Sequence, residues 1–251
     1  MKLINKMQEQ GNILFKYRGQ LPFILFIISI PIIYSMNYDG IVDKCILNYI
    51  QNFSILTALT GLLFRYYIII TTPNGTSGRN RSKQIANTLN TKGAYSIIRH
   101  PLYLANYLIW IGISLYSSSI LLCLFTTTLF IIQYERIIIV EEKFLSKEFK
   151  LKFKDFCDNT SIFLPSFKNY KKPKYYFSLK KLIRREYVST SITIIAFLYI
   201  DILHLYFHES NNQFSLIQII SQYKEILLSI IILTMTIKII KSFTYLLTDN
   251  S

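Results

Sequence analysis

Two short stretches hold the residues best suited to chemistry. The first contains Gly93-Ala94-Tyr95 and Arg99-His100-Pro101-Leu102-Tyr103, and follows an acid-free loop that carries Arg79, Arg81, Lys83 and Lys92. Proline suits the first turn of a helix because its missing N–H is not needed there, and it pushes the preceding His100 out of the α region. The N–H groups of such a helix start, beside Arg99 and His100, suit a carboxylate or a phosphate. The second stretch is Tyr134-Glu135-Arg136 followed by Glu141-Glu142, at the end of an apolar run. Charges in that position are costly unless they are paired or line a wet cavity. Glu135 and Glu142, seven residues apart, share a helix face. Two readings stay open: an ordinary helix end with snorkelling charges, or charges that are paired or line a wet cavity.

The elements that must position these residues are membrane helices. Six apolar segments, approximately Leu21–Met36, Phe53–Thr72, Leu102–Tyr116, Ile120–Val140, Val188–Phe207 and Ile226–Leu247, approach the 20 or so residues a bilayer span needs. The third is short. Ser117-Ser118-Ser119 turns it into the fourth, which predicts a tight hairpin, with a re-entrant hairpin as the alternative. The expected fold class is all-α, a multi-pass transmembrane bundle of about six spans with cytoplasmic amphipathic helices. Leu145, Phe149, Phe153 and Phe156, at helical spacing among lysines, predict one such helix continuing out of the fourth span. Lys168 to Arg185 gathers eight basic residues around Tyr170, Tyr175, Tyr176 and Phe177, a pattern that reads as a membrane-surface anchor.

Charge sets the orientation. The chain has 251 residues, 51% of them hydrophobic, and a formal net charge of +14. In a soluble protein that charge would suggest nucleic acid. Here it lies between the apolar segments, so anionic headgroups and the positive-inside rule account for it, and no nucleic-acid partner is expected. The segments before the first span, between the second and third and between the fourth and fifth are rich in Lys and Arg. The other two loops are acidic or neutral. Both termini are therefore expected on the cytoplasmic side. The apolar run from Leu21 lacks a small-x-small cleavage pattern, so it reads as a span rather than a cleaved leader. Cys45, Cys123 and Cys157 share no metal spacing, and no metal site is expected.

Gly93-x-Tyr95, Arg99-His100-Pro101-x-Tyr103, Gly112 and Glu141-Glu142-x-x-Leu145 followed by Phe149 resemble the membrane methyltransferases related to isoprenylcysteine carboxyl methyltransferase. That motif covers about Leu89 to Pro165. The string from Thr76 to Thr91, Thr-Ser-Gly-Arg-Asn-x-x-x-Gln-x-Ala-x-Thr-Leu-Asn-Thr, is similar to one branch, the bacterial lipid A 1-phosphate methyltransferases. Lys180-Lys181-x-x-Arg184-Arg185-Glu186-Tyr187 resembles the same branch. The chain departs from the family pattern at Ala105, where glycine is common, and at Lys150 and Phe153, where Gly-x-x-Tyr is common.

The resemblance implies a multi-pass enzyme of the bacterial cytoplasmic (inner) membrane. It implies S-adenosyl-L-methionine held by Tyr95, His100, Pro101, Leu102, Tyr103 and Glu141. Arg99, His100, Arg136 and Glu142 are the expected catalytic residues, and Arg79, Arg81 and Arg136 the expected ligands of a lipid A phosphate. A prenylcysteine carboxylate or a phospholipid amine is the alternative acceptor, and a non-catalytic lipid-binding protein the alternative without chemistry. A transporter would have to rely on Arg65, Asp201, Lys238 and Lys241, too few charges for an ion path, and no internal repeat supports one. The expected division is a methyltransferase core over 1–165 with its motifs at 72–103 and 135–165, a basic membrane-surface linker over 166–187, and a two-helix extension over 188–251.

Overall fold

The computed structural model describes residues 2–36, 44–73, 86–173, 178–209 and 215–244. All of the regular structure among them is helical: α1 (Lys2–Tyr17), α2 (Phe23–Tyr34), α3 (Lys44–Thr71), α4 (Pro101–Tyr116), α5 (Ile120–Phe149), α6 (Leu151–Asn159), α7 (Leu179–His204), α8 (Leu216–Gln222) and α9 (Lys224–Phe243), with a short 3-10 turn over Gly93–Ser96 and a π turn over Leu205–Glu209. Over the described residues all six apolar segments are helical. α3, α5, α7 and α9 are long and apolar enough to cross a bilayer, whereas α2 and α4 are apolar but have 12 and 16 residues. At 1.5 Å per residue α4 is about 24 Å long, short of the roughly 30 Å hydrocarbon core. The large apolar side chains left exposed, such as Ile27, Phe53, Leu124, Ile131 and Ile232, are those a lipid-facing surface requires.

α3 and α4 form the most extensive helix pair. Lipid tails are as apolar as leucine, so close backbone approach, not hydrophobicity, must hold two such helices together. Small residues make that approach possible. A Cβ on Gly112 would meet the backbone N of Ala58 at 2.7 Å and the Ser54 carbonyl oxygen at 2.8 Å, and one on Gly61 would meet the Ala105 carbonyl oxygen at 2.8 Å. Gly61 thus makes room opposite Ala105, where the sequence carries one more methyl than the family pattern. The α4–α5 hairpin turns through Ser118 at φ 57, and Ser119 caps α5 by accepting from Leu122 N. A Ser114–Thr126 hydroxyl pair at 2.6 Å ties its two arms.

Beyond the membrane the helix leaving the fourth span is not continuous. α5 ends at Phe149, Lys150 takes φ 48, and α6 sets off in a new direction that buries Phe153 and Phe156. The predicted amphipathic helix is therefore two helices, because its aromatic residues Phe153 and Phe156 pack onto protein. α7 runs unbroken from Leu179 to His204, across the expected boundary at 188.

α1 is amphipathic and lies along the second half of α5. Its Gly11 sits so close to the Arg136 carbonyl that any side chain would collide with it. One core cluster joins α2, α3, α4 and α7 through Ile33, Leu62, Ile109, Ile113, Ala196 and Ile200. Another joins α1, α2 and α5 through Phe15, Leu25, Phe130, Tyr134 and Ile137. The candidate site lies between them.

Candidate active site

Four backbone-led contacts hold the segment that leads into α4. Gly93 N–H donates to the Lys171 carbonyl (2.8 Å), Lys171 N–H to Ser96 Oγ (3.0 Å), Ser166 N–H to the Ile97 carbonyl (3.0 Å) and Arg99 N–H to the Ser161 carbonyl (2.9 Å). The stretch from 161 to 171 is thus a strap laid along residues 93–99. Gly93 has φ +60, a conformation that side chains disfavour. His100, at φ −123, lies outside the α region just before Pro101, as the proline requires. Lys181, read from sequence as part of a surface anchor, is instead buried, and its ammonium donates to the Thr72 carbonyl.

His100 is the hub of this end. Its side chain is 9% exposed, with Nε2 3.2 Å from Glu142 Oε1 and Nδ1 3.6 Å from Glu141 Oε2. Arg99 Nη1 lies 3.1 Å from the same Glu142 oxygen. The His100 ring stacks on Tyr103 (5.5 Å between centroids, 8° between planes), and Tyr103 stacks on Tyr134 at 4.3 Å. An aromatic column therefore runs from the helix start into the bundle. Burial alone would lower the His100 pKa, but hydrogen bonding and charge from Glu141 and Glu142 outweigh it and raise the value above the usual 6.5. Burial, then the Glu141 charge, raise the Tyr95 phenol, so Tyr95 stays a neutral hydroxyl.

The raised His100 value has a defined sign in stability. The folded protein holds this proton more tightly than the unfolded chain does. The resulting stabilisation is fully present below 6.5 and is lost as pH rises through the folded-state value. Thermal melting of the detergent-solubilised protein should therefore show a midpoint that falls as pH rises past 6.5, with that part of the fall missing in His100→Gln. Parallel pH profiles for the two proteins would show that the imidazolium contributes nothing.

Beside this column lies a cavity of about 360 Å³, within the usual range for small-molecule sites. Tyr95, Arg99, His100, Leu102, Tyr103 and Glu141 line it. Pro101 is buried at the start of α4, and Glu142 braces His100 and Arg99 from outside the lining. Arg136 lies elsewhere, on the α5 face under α1, where Nη1 pairs with Glu135 Oε2 (2.5 Å) and Nε donates to Gln10 Oε1 (3.3 Å). Arg79 and Arg81 fall outside the described residues. From the Thr76–Thr91 string, Ala86, Thr88, Leu89 and Asn90 reach the cavity wall.

Other lining residues had not been singled out from sequence as part of a site. Arg65 of α3 forms a forked pair with Glu186 of α7, Nε to Oε2 at 2.5 Å and Nη2 to Oε1 at 3.3 Å, and its Nη1 donates to Asn106 Oδ1. Asn106 Nδ2 donates to the Tyr134 hydroxyl at 3.0 Å, which joins the pair to the aromatic column. Arg18, Trp110 and Arg185 complete this inner end. The sequence held two signals for it: an arginine within an apolar span needs a partner, and the Lys180–Tyr187 string that resembles the family branch contains Arg185 and Glu186.

Residues 49–152, which include nearly all of α3, all of α4 and α5, and the His100 helix start, match the family model described as phospholipid methyltransferase. A cobalt-zinc-cadmium resistance protein of Cupriavidus metallidurans is 33% identical over 85 residues, 34% of this chain and 39% of that protein. A nickel-cobalt-cadmium resistance protein of Alcaligenes xylosoxydans xylosoxydans is 33% identical over 89 residues, 36% of this chain and 39% of that protein. The chain thus spans about two fifths of the length of these curated relatives. No solved structure matches it significantly. The protein is a helical membrane protein whose central stretch, the one that forms the His100–Glu141 end of the cavity, is similar to the phospholipid methyltransferases, a match that supports a membrane lipid methyltransferase in general.

Proposed function

We propose that the protein is an S-adenosyl-L-methionine-dependent methyltransferase of the bacterial inner membrane that methylates a lipid headgroup phosphate, with the 1-phosphate of lipid A as acceptor. The observation that carries this reading is the His100–Tyr103–Tyr134 aromatic column running into a cavity edged by Glu141 and Arg99. These residues fit the cofactor. Arg99 Nε is buried with no hydrogen-bond partner among the described residues and suits the cofactor's carboxylate. The Glu141 carboxylate suits its amino group or ribose hydroxyls. The Tyr95 ring at the cavity wall suits a sulfonium, a contact worth roughly 0.5–2 kcal/mol, while Tyr103, stacked between His100 and Tyr134, holds the wall in place.

When bound, the cofactor supplies an electrophilic methyl: a phosphate oxygen's lone pair forms the new O–C bond while the C–S bond breaks and its electron pair passes to sulfur, giving a methyl phosphate ester and S-adenosylhomocysteine. A phosphate is already anionic at neutral pH, so no residue need act as a general base. The work of the protein is alignment and exclusion of water. His100, held by two carboxylates and by Pro101, keeps the column rigid. The Lys- and Arg-rich segments around this end support a site that opens to the cytoplasmic side.

The test is methyl transfer from labelled S-adenosyl-L-methionine to lipid A with and without its 1-phosphate. Transfer that requires the phosphate is expected. Equal transfer to both removes the phosphate from the reaction. The description of the matching family favours a phospholipid amine as the next acceptor to try, ahead of a prenylcysteine carboxylate.

A further inference from the structure

The strap over 161–171 gives the protein its backbone and turns most of its side chains away. Phe163 is 62% exposed, Leu164 78% and Phe167 74%, and Tyr170 is exposed as well. Lys168, Lys171 and Lys172 stand among and just after them, with Lys92 across the strap beside Gly93, and all four lysines are exposed. The sequence has no acid from Asn159 to Arg185. The strap also has a definite level. Ile162 packs against the cluster that holds Phe130 and Tyr134, Ser166 N–H reaches Ile97 just before α4, and the Tyr170 hydroxyl meets that of Tyr67 (2.8 Å) near the end of α3. It therefore crosses the bundle where α3 ends and α4 begins, which is the level of one bilayer boundary. Exposed rings alternating with lysines at that level suit a headgroup layer: the rings enter the acyl boundary and the ammoniums meet lipid phosphates.

We propose that residues 163–172 form a docking surface for the anionic lipid headgroups of the surrounding bilayer, and that this contact holds the cofactor end of the cavity in its binding form. The docking surface stands on its own observations; its effect on the cofactor rests on the methyltransferase reading above. The link is the inner edge of the strap. The hydrogen bonds made by Gly93, Arg99, Ser166 and Lys171 fix the segment that carries Tyr95, Arg99 and His100. A segment held by a few such bonds, with its own side chains outside, opens locally at small cost. A headgroup layer that binds only the closed strap opposes that opening. By linkage, lipid and cofactor then tighten each other.

The experiment compares the full chain in nanodiscs of neutral phosphatidylcholine with the same chain in discs that also contain anionic phosphatidylglycerol. Hydrogen exchange read by mass spectrometry follows peptides over 91–100 and 161–172. Both should exchange at least about fivefold more slowly in the anionic discs, since each lysine near such a surface contributes about a factor of five. S-adenosylhomocysteine should bind at least about fivefold more tightly there. High salt should remove both differences. The triple variant Lys168→Gln, Lys171→Gln, Lys172→Gln should shrink both to within about twofold, and its exposed side chains leave the fold intact. Phe163→Ser with Phe167→Ser should speed exchange of the strap in both discs, because the apolar contact does not depend on lipid charge. Equal exchange in the two discs, or a difference that survives in the triple variant, would overturn the docking surface. Unchanged strap exchange in the phenylalanine variant would overturn insertion of the rings. Protection produced in neutral discs by inorganic phosphate alone would overturn the bilayer as the source of the anion. Lipid-dependent protection with equal S-adenosylhomocysteine affinity in both discs would overturn the link to the cavity. Failure of S-adenosylhomocysteine to bind in either disc, with that protection intact, would overturn the methyltransferase reading and leave the docking surface standing.

Discussion

Glu186→Leu is expected to cost the protein about 3–5 kcal/mol of stability, the usual penalty for stranding one member of a buried ion pair. Glu186 is almost fully buried and takes both ends of the Arg65 fork, so its loss leaves a guanidinium inside the bundle with Asn106 as its remaining partner among the described residues. The paired change Arg65→Leu with Glu186→Leu should recover most of that loss, because apolar side chains of similar volume can replace a buried pair at little cost. Unfolding of the three proteins in mixed micelles, followed by Trp110 fluorescence, measures the cycle. A single variant as stable as the parent would mean that the pair is not desolvated.

The other large effect concerns the cofactor. Glu141→Gln should weaken S-adenosyl-L-methionine binding by roughly ten- to more than a hundredfold, since a charge-assisted hydrogen bond is worth about 1.5–3 kcal/mol. Tyr103→Ala removes the centre of the aromatic column that holds His100 at the cavity wall and should cost a further few-fold to about tenfold, from the loss of an aromatic pair worth roughly 0.5–1.5 kcal/mol. Titration calorimetry with the detergent-solubilised variants provides both numbers, and the thermal midpoint shows whether each remains folded. Unchanged cofactor affinity in both variants would detach the cofactor from this end of the cavity. Loss in Tyr103→Ala alone would leave the column as the site and assign Glu141 to bracing His100.

Several features could be read along the chain because their causes are local. Pro101 dictates a helix start and the non-helical backbone of His100, whatever surrounds them. The serines at 117–119 dictate a turn, and Ser119 caps the next helix with its own hydroxyl. Apolar runs dictate helices because lipid offers the backbone no other partner. Other features misled because local pattern was read without its neighbours. Lys181 sits in a run of basic residues that resembles a surface anchor, yet it is drawn inside by a carbonyl at the end of α3. Phe153 and Phe156 continue a helical spacing begun at Leu145, yet Lys150 breaks the helix so that both rings can be buried.

By itself, then, the sequence determined that this is an all-helical membrane protein, where its helices start and turn, and that His100, Tyr103 and the Glu141–Glu142 pair were the residues to watch. Hydropathy, proline geometry and the spacing of side chains on one helix act over a few residues, and so they survive in a linear reading. Only the tertiary structure decided which cations face the cavity. Arg136, one of the expected phosphate ligands, is held on the α5 face under α1 by Glu135 and Gln10. Arg65 meets Glu186 from 121 residues away, and Arg18 and Arg185, from well-separated parts of the chain, line the same cavity. An arginine in an apolar run announces that it needs a partner. Which residue becomes that partner depends on how the helices pack, here on the small-residue contact between α3 and α4 and on the placement of α7, and that is a property of the bundle rather than of any one segment.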